Sequence, residues 1–135
     1  MYSDVALPLT RLTSALVPFK WGDKESHTFN YLKKRLTESP ILVAPNWSII
    51  FHVHTDASLT AVGALLAQPS QEHSIDRPIY YASRLLTKAE RNYSTTEREG
   101  LAIVYALQKF RHYLLATHFI VITDHHALKY LLNKP

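Results

Sequence analysis

One segment, residues 94–115 (STTEREGLAIVYALQKFRHYLL), constrains the fold most, because a carboxylate is set into its apolar helical face. At about 100° per residue, Glu99 shares one side of the helix with apolar residues. These residues are Ala102, Ile103, Ala106, Leu107, Phe110, Tyr113 and Leu114. Glu97 falls on the opposite, polar side. The segment predicts one amphipathic helix of about four to six turns, with Ser94 or Thr95 as its N-cap.

Glu99 is the unusual residue of this helix. An ionised carboxylate seldom faces a core unless a cation or several hydrogen bonds compensate its charge. Glu99 could pair with a buried arginine or lie at the end of the apolar stripe, and the helix alone leaves both alternatives open beside a functional role.

The composition favours one globular domain inside the cell. The chain has 135 residues, of which 47% are apolar, which suits one core better than two. The absence of cysteine excludes disulfides and thiolate metal sites and fits a reducing compartment, so we expect the cytoplasm or nucleus. The sequence has no apolar run of about 18 residues and no secretory signal pattern, so a membrane is not an expected partner.

The first 47 residues have the character of a connecting segment with one helix. Asp23 is a candidate N-cap, the residues Phe29, Leu32 and Leu36 form an apolar stripe, and Pro40 predicts the end of the helix. The basic cluster at 33–35 is more typical of a solvated face than of a phosphate contact. Residues 41–47 are predicted to form a loop or an edge strand.

The rest of the chain predicts a mixed sheet with flanking helices, an α/β fold. Apolar alternation predicts strands near 49–55, 61–68 and 77–82, joined by short polar loops as an antiparallel meander. A strand near 118–123 follows the Glu99 helix, so we expect it to be parallel to the first strand and adjacent to it. The last residues, HHALKYLLNK, predict a helix with Asp124 as its N-cap and Leu128, Leu131 and Leu132 as its apolar stripe.

Three carboxylates are predicted to converge in this fold. Asp56 and Asp124 each end a predicted strand, and the carboxyl ends of neighbouring parallel strands lie together. The intervening helix would turn Glu99 toward the same place. Three clustered carboxylates repel one another unless cations are bound, and oxygen-only ligands select Mg²⁺ or Mn²⁺ over zinc. A pair of such ions can activate a water molecule and stabilise a leaving oxygen, which suits phosphodiester hydrolysis.

The charge pattern favours a polyanionic partner. From residue 49 onward there are nine Lys and Arg against seven Asp and Glu. If three of these acids bind metal, the remaining surface is cationic and attracts nucleic acid.

The histidines offer an alternative metal site. His52 and His54 share a strand face with Asp56, which would make a trio of ligands, but polar residues on a half-exposed strand are the commoner case. His125 and His126 follow Asp124, and the sequence shows no further convergent ligands for zinc there.

Several ordered blocks resemble a known family. The blocks TDAS, TEREGLAIVYALQKFRHYL and VITDHHAL, together with RPIYYASRLLTKAERNYS, resemble the ribonuclease H domain of gypsy-type LTR retrotransposon polyproteins. The upstream block FKWGDKESHTFNYLKKRLTESPILVAPNW resembles the link between reverse transcriptase and ribonuclease H in that family. The resemblance implies a connection over 1–47 and a ribonuclease H-like domain over 48–135.

The resemblance also implies a chemistry. It predicts a nuclease that uses two Mg²⁺ or Mn²⁺ ions to cut the RNA strand of an RNA–DNA hybrid, working with the reverse transcriptase of the same polyprotein. Asp56, Glu99 and Asp124 match three of the family's four metal-binding carboxylates.

Two features depart from the family pattern. Leu59 and Thr60 follow TDAS where a glycine is usual. The fourth carboxylate of the family lies on a helix after a further strand, and the expectation is that the chain ends before both, so residues 1–135 alone should be weak or inactive. The alternative is a noncatalytic or domesticated remnant that keeps the fold and binds nucleic acid or a protein; a hinge between polymerase and nuclease is a third possibility.

Overall fold

A mixed sheet covered on its inner face by one long helix organises the chain in the computed structural model, which describes residues 2–38, 42–70, 75–115, 117–125 and 128. The described strands are β1 (Phe51–Ala57), β2 (Ala61–Gln68), β3 (Arg77–Leu85) and β4 (Phe119–Ile122), in the order β3-β2-β1-β4. The described helices are α1 (Tyr2–Val5), α2 (Leu7–Leu12), α3 (Asp23–Glu38), α4 (Thr95–Lys109) and α5 (Arg111–Leu114), with a 3₁₀ turn at Glu90–Asn92.

The sheet has the predicted topology. β1 pairs antiparallel with β2 and parallel with β4, and β2 pairs antiparallel with β3. The crossover through α4 and α5 explains the parallel pair, because parallel neighbours cannot be joined by a tight turn. The predicted α/β fold with a mixed sheet is therefore confirmed, although β1 starts two residues late and β3 extends to Leu85.

Alternation along β1 separates the two faces of the sheet. Phe51, Val53 and Thr55 are buried on the inner face, whereas His52 and His54 on the outer face are half-buried. The inner residues join the core with residues of β2, β3, α4 and α5: Ala64, Leu66, Ile79, Ala106, Phe110 and Leu114. This core fixes the position of α4 on the sheet.

The segment at 94–115 forms two helices rather than the single helix expected. Ser94 caps α4 through a capping box with Glu97. The break falls at Phe110, whose backbone angles of φ −97° and ψ 9° leave the helical region. Phe110 is fully buried, and its ring centroid lies 5.6 Å from that of Tyr80. The break in the helix therefore coincides with a large core side chain.

The N-terminal helices contribute little to this core. In α1, Ser3 hydrogen-bonds Ser83 and Asp4 hydrogen-bonds Thr60, which fastens the helix to the sheet. The helix α3 contacts α2. Its predicted apolar stripe does not enter a core, since Phe29 is 50% exposed and Leu36 is 70% exposed.

Two sequence predictions near the chain's helix ends have different outcomes. The α3 helix begins at Asp23, one residue earlier than the predicted Asp23 cap implies. Gly22 is the cap instead, because its carbonyl accepts a hydrogen bond from the Ser26 N–H. The predicted C-terminal helix lies mostly outside the described residues, including Leu131 and Leu132. Leu128 is described and is buried.

Among the described residues, no helix is long and apolar enough to cross a membrane.

Candidate active site

The two predicted aspartates lie at the same end of neighbouring parallel strands. The β1–β4 register pairs Phe51 with Phe119 and continues to His54 opposite Ile122. The same offset puts Asp56 opposite Asp124, just past the end of β4. Asp56 and Asp124 are both exposed at this edge of the sheet.

Glu99 approaches this edge from below, on the buried side of α4. Its residue is only 5% exposed. Burial raises the pKa of Glu99, and the negative charges of Asp124 and Asp56 raise it further. A hydrogen bond from the Ala57 backbone N–H and the nearby His125 oppose that rise. The charges of Asp56 and Asp124 are therefore close enough to act on the Glu99 carboxylate.

One oxygen of Glu99 lacks a protein partner. Among the buried side-chain polar atoms of the described residues, only Glu99 Oε2 and Thr55 Oγ1 have no hydrogen bond. The alternative of a buried arginine partner fails, because Arg98 instead donates to the carbonyl of Tyr93 at 2.9 Å. An unpaired buried polar atom costs about 1–3 kcal/mol. A hard divalent cation fits this place, since it would satisfy Oε2 and reduce the repulsion among three carboxylates.

From the sequence, one of His125 and His126 was expected to hold the turn after Asp124 or to approach a phosphate; in the structure His125 connects the end of β4 to α4. Its Nε2 lies 2.9 Å from Thr96 Oγ1 in the first turn of the helix, and its backbone N–H donates to Thr123 Oγ1. The contact holds the strand end that carries Asp124 beside the helix that carries Glu99. The position of His125 directly after Asp124 was the available sequence signal.

A second polar cluster lies on the outer face of β1. His52 Nδ1 and His54 Nε2 lie 2.8 Å and 2.7 Å from the same oxygen of Asp76, which immediately precedes β3. Burial works to raise the pKa of Asp76, but the hydrogen bonds from His54 and His52 outweigh it and lower the pKa. The partner of the two histidines is therefore Asp76, and the sequence interpretation that grouped them with Asp56 missed it.

The two clusters differ in how tightly their ligand atoms converge. Among the described residues, His52, His54 and Asp76 are the one set of three possible metal ligands whose ligand atoms all lie within 4.8 Å of one another. Asp56, Glu99 and Asp124 form a more open arrangement.

The chain is similar to known retroelement proteins. A family described as the RNase H-like domain found in reverse transcriptase matches residues 21–121. The Pol polyprotein of transposon 412 from Drosophila melanogaster is 42% identical over 132 residues, which is 98% of this chain and 10% of that protein. The Tf2-3 transposon polyprotein of Schizosaccharomyces pombe is 37% identical over 130 residues, covering 93% of this chain and 10% of that protein.

A solved structure has the same fold. The foamy viral protease–reverse transcriptase in complex with double-stranded DNA superposes with a TM-score of 0.78 at 20% identity, over 98% of this chain and 28% of that one. The chain spans about a tenth of the length of the two polyproteins it resembles. The family resemblance drawn from the sequence blocks is thereby confirmed: this chain belongs to the RNase H-like domains of reverse transcriptases and is similar to those of retrotransposon Pol polyproteins.

Proposed function

We propose that this chain is the metal-binding part of a retrotransposon ribonuclease H, which cuts the RNA strand of an RNA–DNA hybrid inside the cell. Residues 1–47 would connect it to the reverse transcriptase of the same polyprotein, and residues 48–135 would carry the nuclease chemistry. The observation that carries the proposal is the buried Glu99 carboxylate, which has an unpaired oxygen and feels the charges of Asp56 and Asp124.

In this proposal Asp56, Glu99 and Asp124 hold two Mg²⁺ or Mn²⁺ ions. The ions, when bound, supply an activated water and stabilise the leaving oxygen of the phosphodiester. Glu99 is buried on α4 with Oε2 unpaired, so this oxygen is available to an ion. The exposed Asp56 and Asp124 leave the site open on the side from which a nucleic acid would approach.

The proposal is tested by cleavage of a labelled RNA–DNA hybrid in Mg²⁺, with single-stranded RNA as the control substrate. We expect residues 1–135 to cut weakly or undetectably, because they supply three of the family's four carboxylates. A longer segment of the parent polyprotein should cut the hybrid. In that longer protein, Glu99→Gln should abolish cleavage while hybrid binding persists, since phosphate contacts come mainly from Lys and Arg.

Glu97→Gln is the matched control on the same helix. Glu97 is exposed, and glutamine can replace glutamate in the capping box with Ser94. Activity close to wild type is therefore expected. Loss of activity in Glu97→Gln with retention in Glu99→Gln would contradict the site, and a longer protein that never cuts would favour the noncatalytic remnant.

A further inference from the structure

The outer face of β1 carries a three-residue cluster that the proposed nuclease chemistry does not use. His52 and His54 project to the same side because side chains alternate along a strand. Asp76 belongs to the connection between β2 and β3, and β2 lies between β3 and β1 in the sheet. Asp76, just before β3, therefore lies over the outer face and reaches β1 across β2.

The possible metal-ligand atoms of this cluster all lie within 4.8 Å of one another. Both imidazoles converge on Asp76 Oδ2, through Nδ1 of His52 and Nε2 of His54. Zinc bonds of about 2.0–2.1 Å place tetrahedral ligand atoms roughly 3.3 Å apart. The observed separations of 2.8 Å and 2.7 Å would need to widen by roughly half an ångström to admit the ion. Small rotations of these half-buried side chains can provide such a change.

The chemistry of the donors selects the ion. Two imidazole nitrogens with one carboxylate oxygen suit Zn²⁺ and other late divalent metals, whereas Mg²⁺ prefers oxygen ligands alone. The side chains are 19%, 35% and 22% exposed for His52, His54 and Asp76, so an ion can reach them. A groove of about 300 Å³ is lined by His54 together with Leu65 and Tyr81, so the His54 side of the cluster is open to solvent.

We propose that His52, His54 and Asp76 form a second metal site, which binds one Zn²⁺ ion and is separate from the carboxylates at the sheet edge. The bound ion cross-links the β2–β3 connection to the central strand β1. This site goes beyond the proposed nuclease and does not depend on it. Its alternative is a purely hydrogen-bonded cluster in which Asp76 only anchors the connection.

The test is a calorimetric titration of the chain with Zn²⁺ in an excess of Mg²⁺ that occupies the carboxylates. We expect one Zn²⁺ per chain, with affinity at least tenfold weaker in each of His52→Gln, His54→Gln and Asp76→Asn. Glu99→Gln tests whether the ion belongs to the carboxylates instead, and it should bind Zn²⁺ as the wild type does. His112→Gln, on the exposed surface of α5, controls for adventitious histidine binding.

A measurement on the unmodified chain makes the result independent of how the variants fold. Of the eight histidines, two should show shifted imidazole nitrogen resonances when Zn²⁺ is added, one through Nδ1 and one through Nε2. Co²⁺ in place of Zn²⁺ should give the intense visible absorption of a tetrahedral centre. No binding in Mg²⁺, affinity unchanged in the three ligand variants, or loss of binding in Glu99→Gln would each overturn the proposal.

Discussion

The two long helices α3 and α4 have almost the same length, yet only α4 packs its apolar face into the core. Helix α3 has 16 residues and α4 has 15, and each carries an apolar stripe at helical spacing. The stripe of α4 is buried on the sheet through Ala102 and Ala106, whereas Phe29 on α3 is half exposed. Periodicity therefore identifies the apolar face of a helix, but it does not show whether the same chain supplies a surface to cover that face.

The difference has a functional side as well. Helix α4 packs against β1 and β2. A polar side chain on its inner face is therefore buried and cannot turn toward water. Glu99 lies there with an unpaired oxygen, and burying this oxygen without a partner lowers the stability of the folded chain. Helix α3 has no comparable buried charged residue, because Thr28 is its only buried residue among those described.

The largest expected effect follows from removing the ring at the end of α4. Phe110 is fully buried and contacts the Tyr80 ring, so Phe110→Ala leaves a cavity and should lower the free energy of unfolding by about 4 kcal/mol. Urea unfolding of the chain at 25 °C measures the change as a lower midpoint. Val104→Ala is the control, because Val104 on the same helix is 51% exposed and should change stability by less than about 0.5 kcal/mol. Similar losses in both variants would mean that α4 does not face the sheet as described.

A smaller effect, of opposite sign, is expected from neutralising the buried carboxylate. Without divalent ions at about pH 7, Glu99→Gln should stabilise the chain by roughly 1–2 kcal/mol, because it removes an unpaired buried charge and its repulsion with Asp56 and Asp124. The pKa of Glu99 is raised in the folded state, so the folded chain binds its proton more tightly than the unfolded chain. Wild-type stability therefore falls as the pH rises above the ordinary value of 4.5, and the advantage of the variant should vanish below it.

Urea unfolding of both proteins in EDTA, at a pH below 4.5 and at neutral pH, checks this dependence. Saturating Mn²⁺ should then stabilise the wild type by about 1–3 kcal/mol and the variant by less. Glu97→Gln should match the wild type both without ions and in its response to Mn²⁺, because Glu97 is exposed and glutamine preserves the capping box with Ser94. Destabilisation of Glu99→Gln at neutral pH would contradict the repulsion.

The same contrast shows which parts of the structure a sequence can predict. Local patterns predicted the strands, the Ser94 cap, the parallel pairing of β1 with β4, and the inward orientation of Glu99, because each depends on spacing within one segment or on one short crossover. The break at Phe110 was missed because residues 94–115 keep helical periodicity through it. The periodicity placed Phe110 on the apolar face, but its contact with Tyr80 joins distant segments and no local pattern predicts it.

The features that the sequence did not predict are mainly contacts between distant segments. The grouping of His52 and His54 with Asp76 joins residues 22 to 24 positions apart across an intervening strand, and no local pattern encodes that return. His125 and Thr96 are 29 positions apart and meet only because the crossover brings the end of β4 to the first turn of α4. The placement of Asp56 and Asp124 at one edge of the sheet was predictable, because the ends of neighbouring parallel strands converge by a general rule.

The smallest expected effect tests the other helix. Phe29 on α3 is 50% exposed, and its described ring contact is an edge-on one with Trp21 at 6.1 Å. Phe29→Ser should therefore lower the free energy of unfolding by no more than about 0.5 kcal/mol, the size of a surface substitution that loses one aromatic pair. Tryptophan fluorescence should still change, since Trp21 loses its neighbour, so a silent midpoint with an altered spectrum is the expected pair of results. The stability measurement is urea unfolding under the conditions used for Phe110→Ala. A loss above about 1.5 kcal/mol would show that α3 covers apolar surface of the core, and the difference drawn between the two helices would then be wrong.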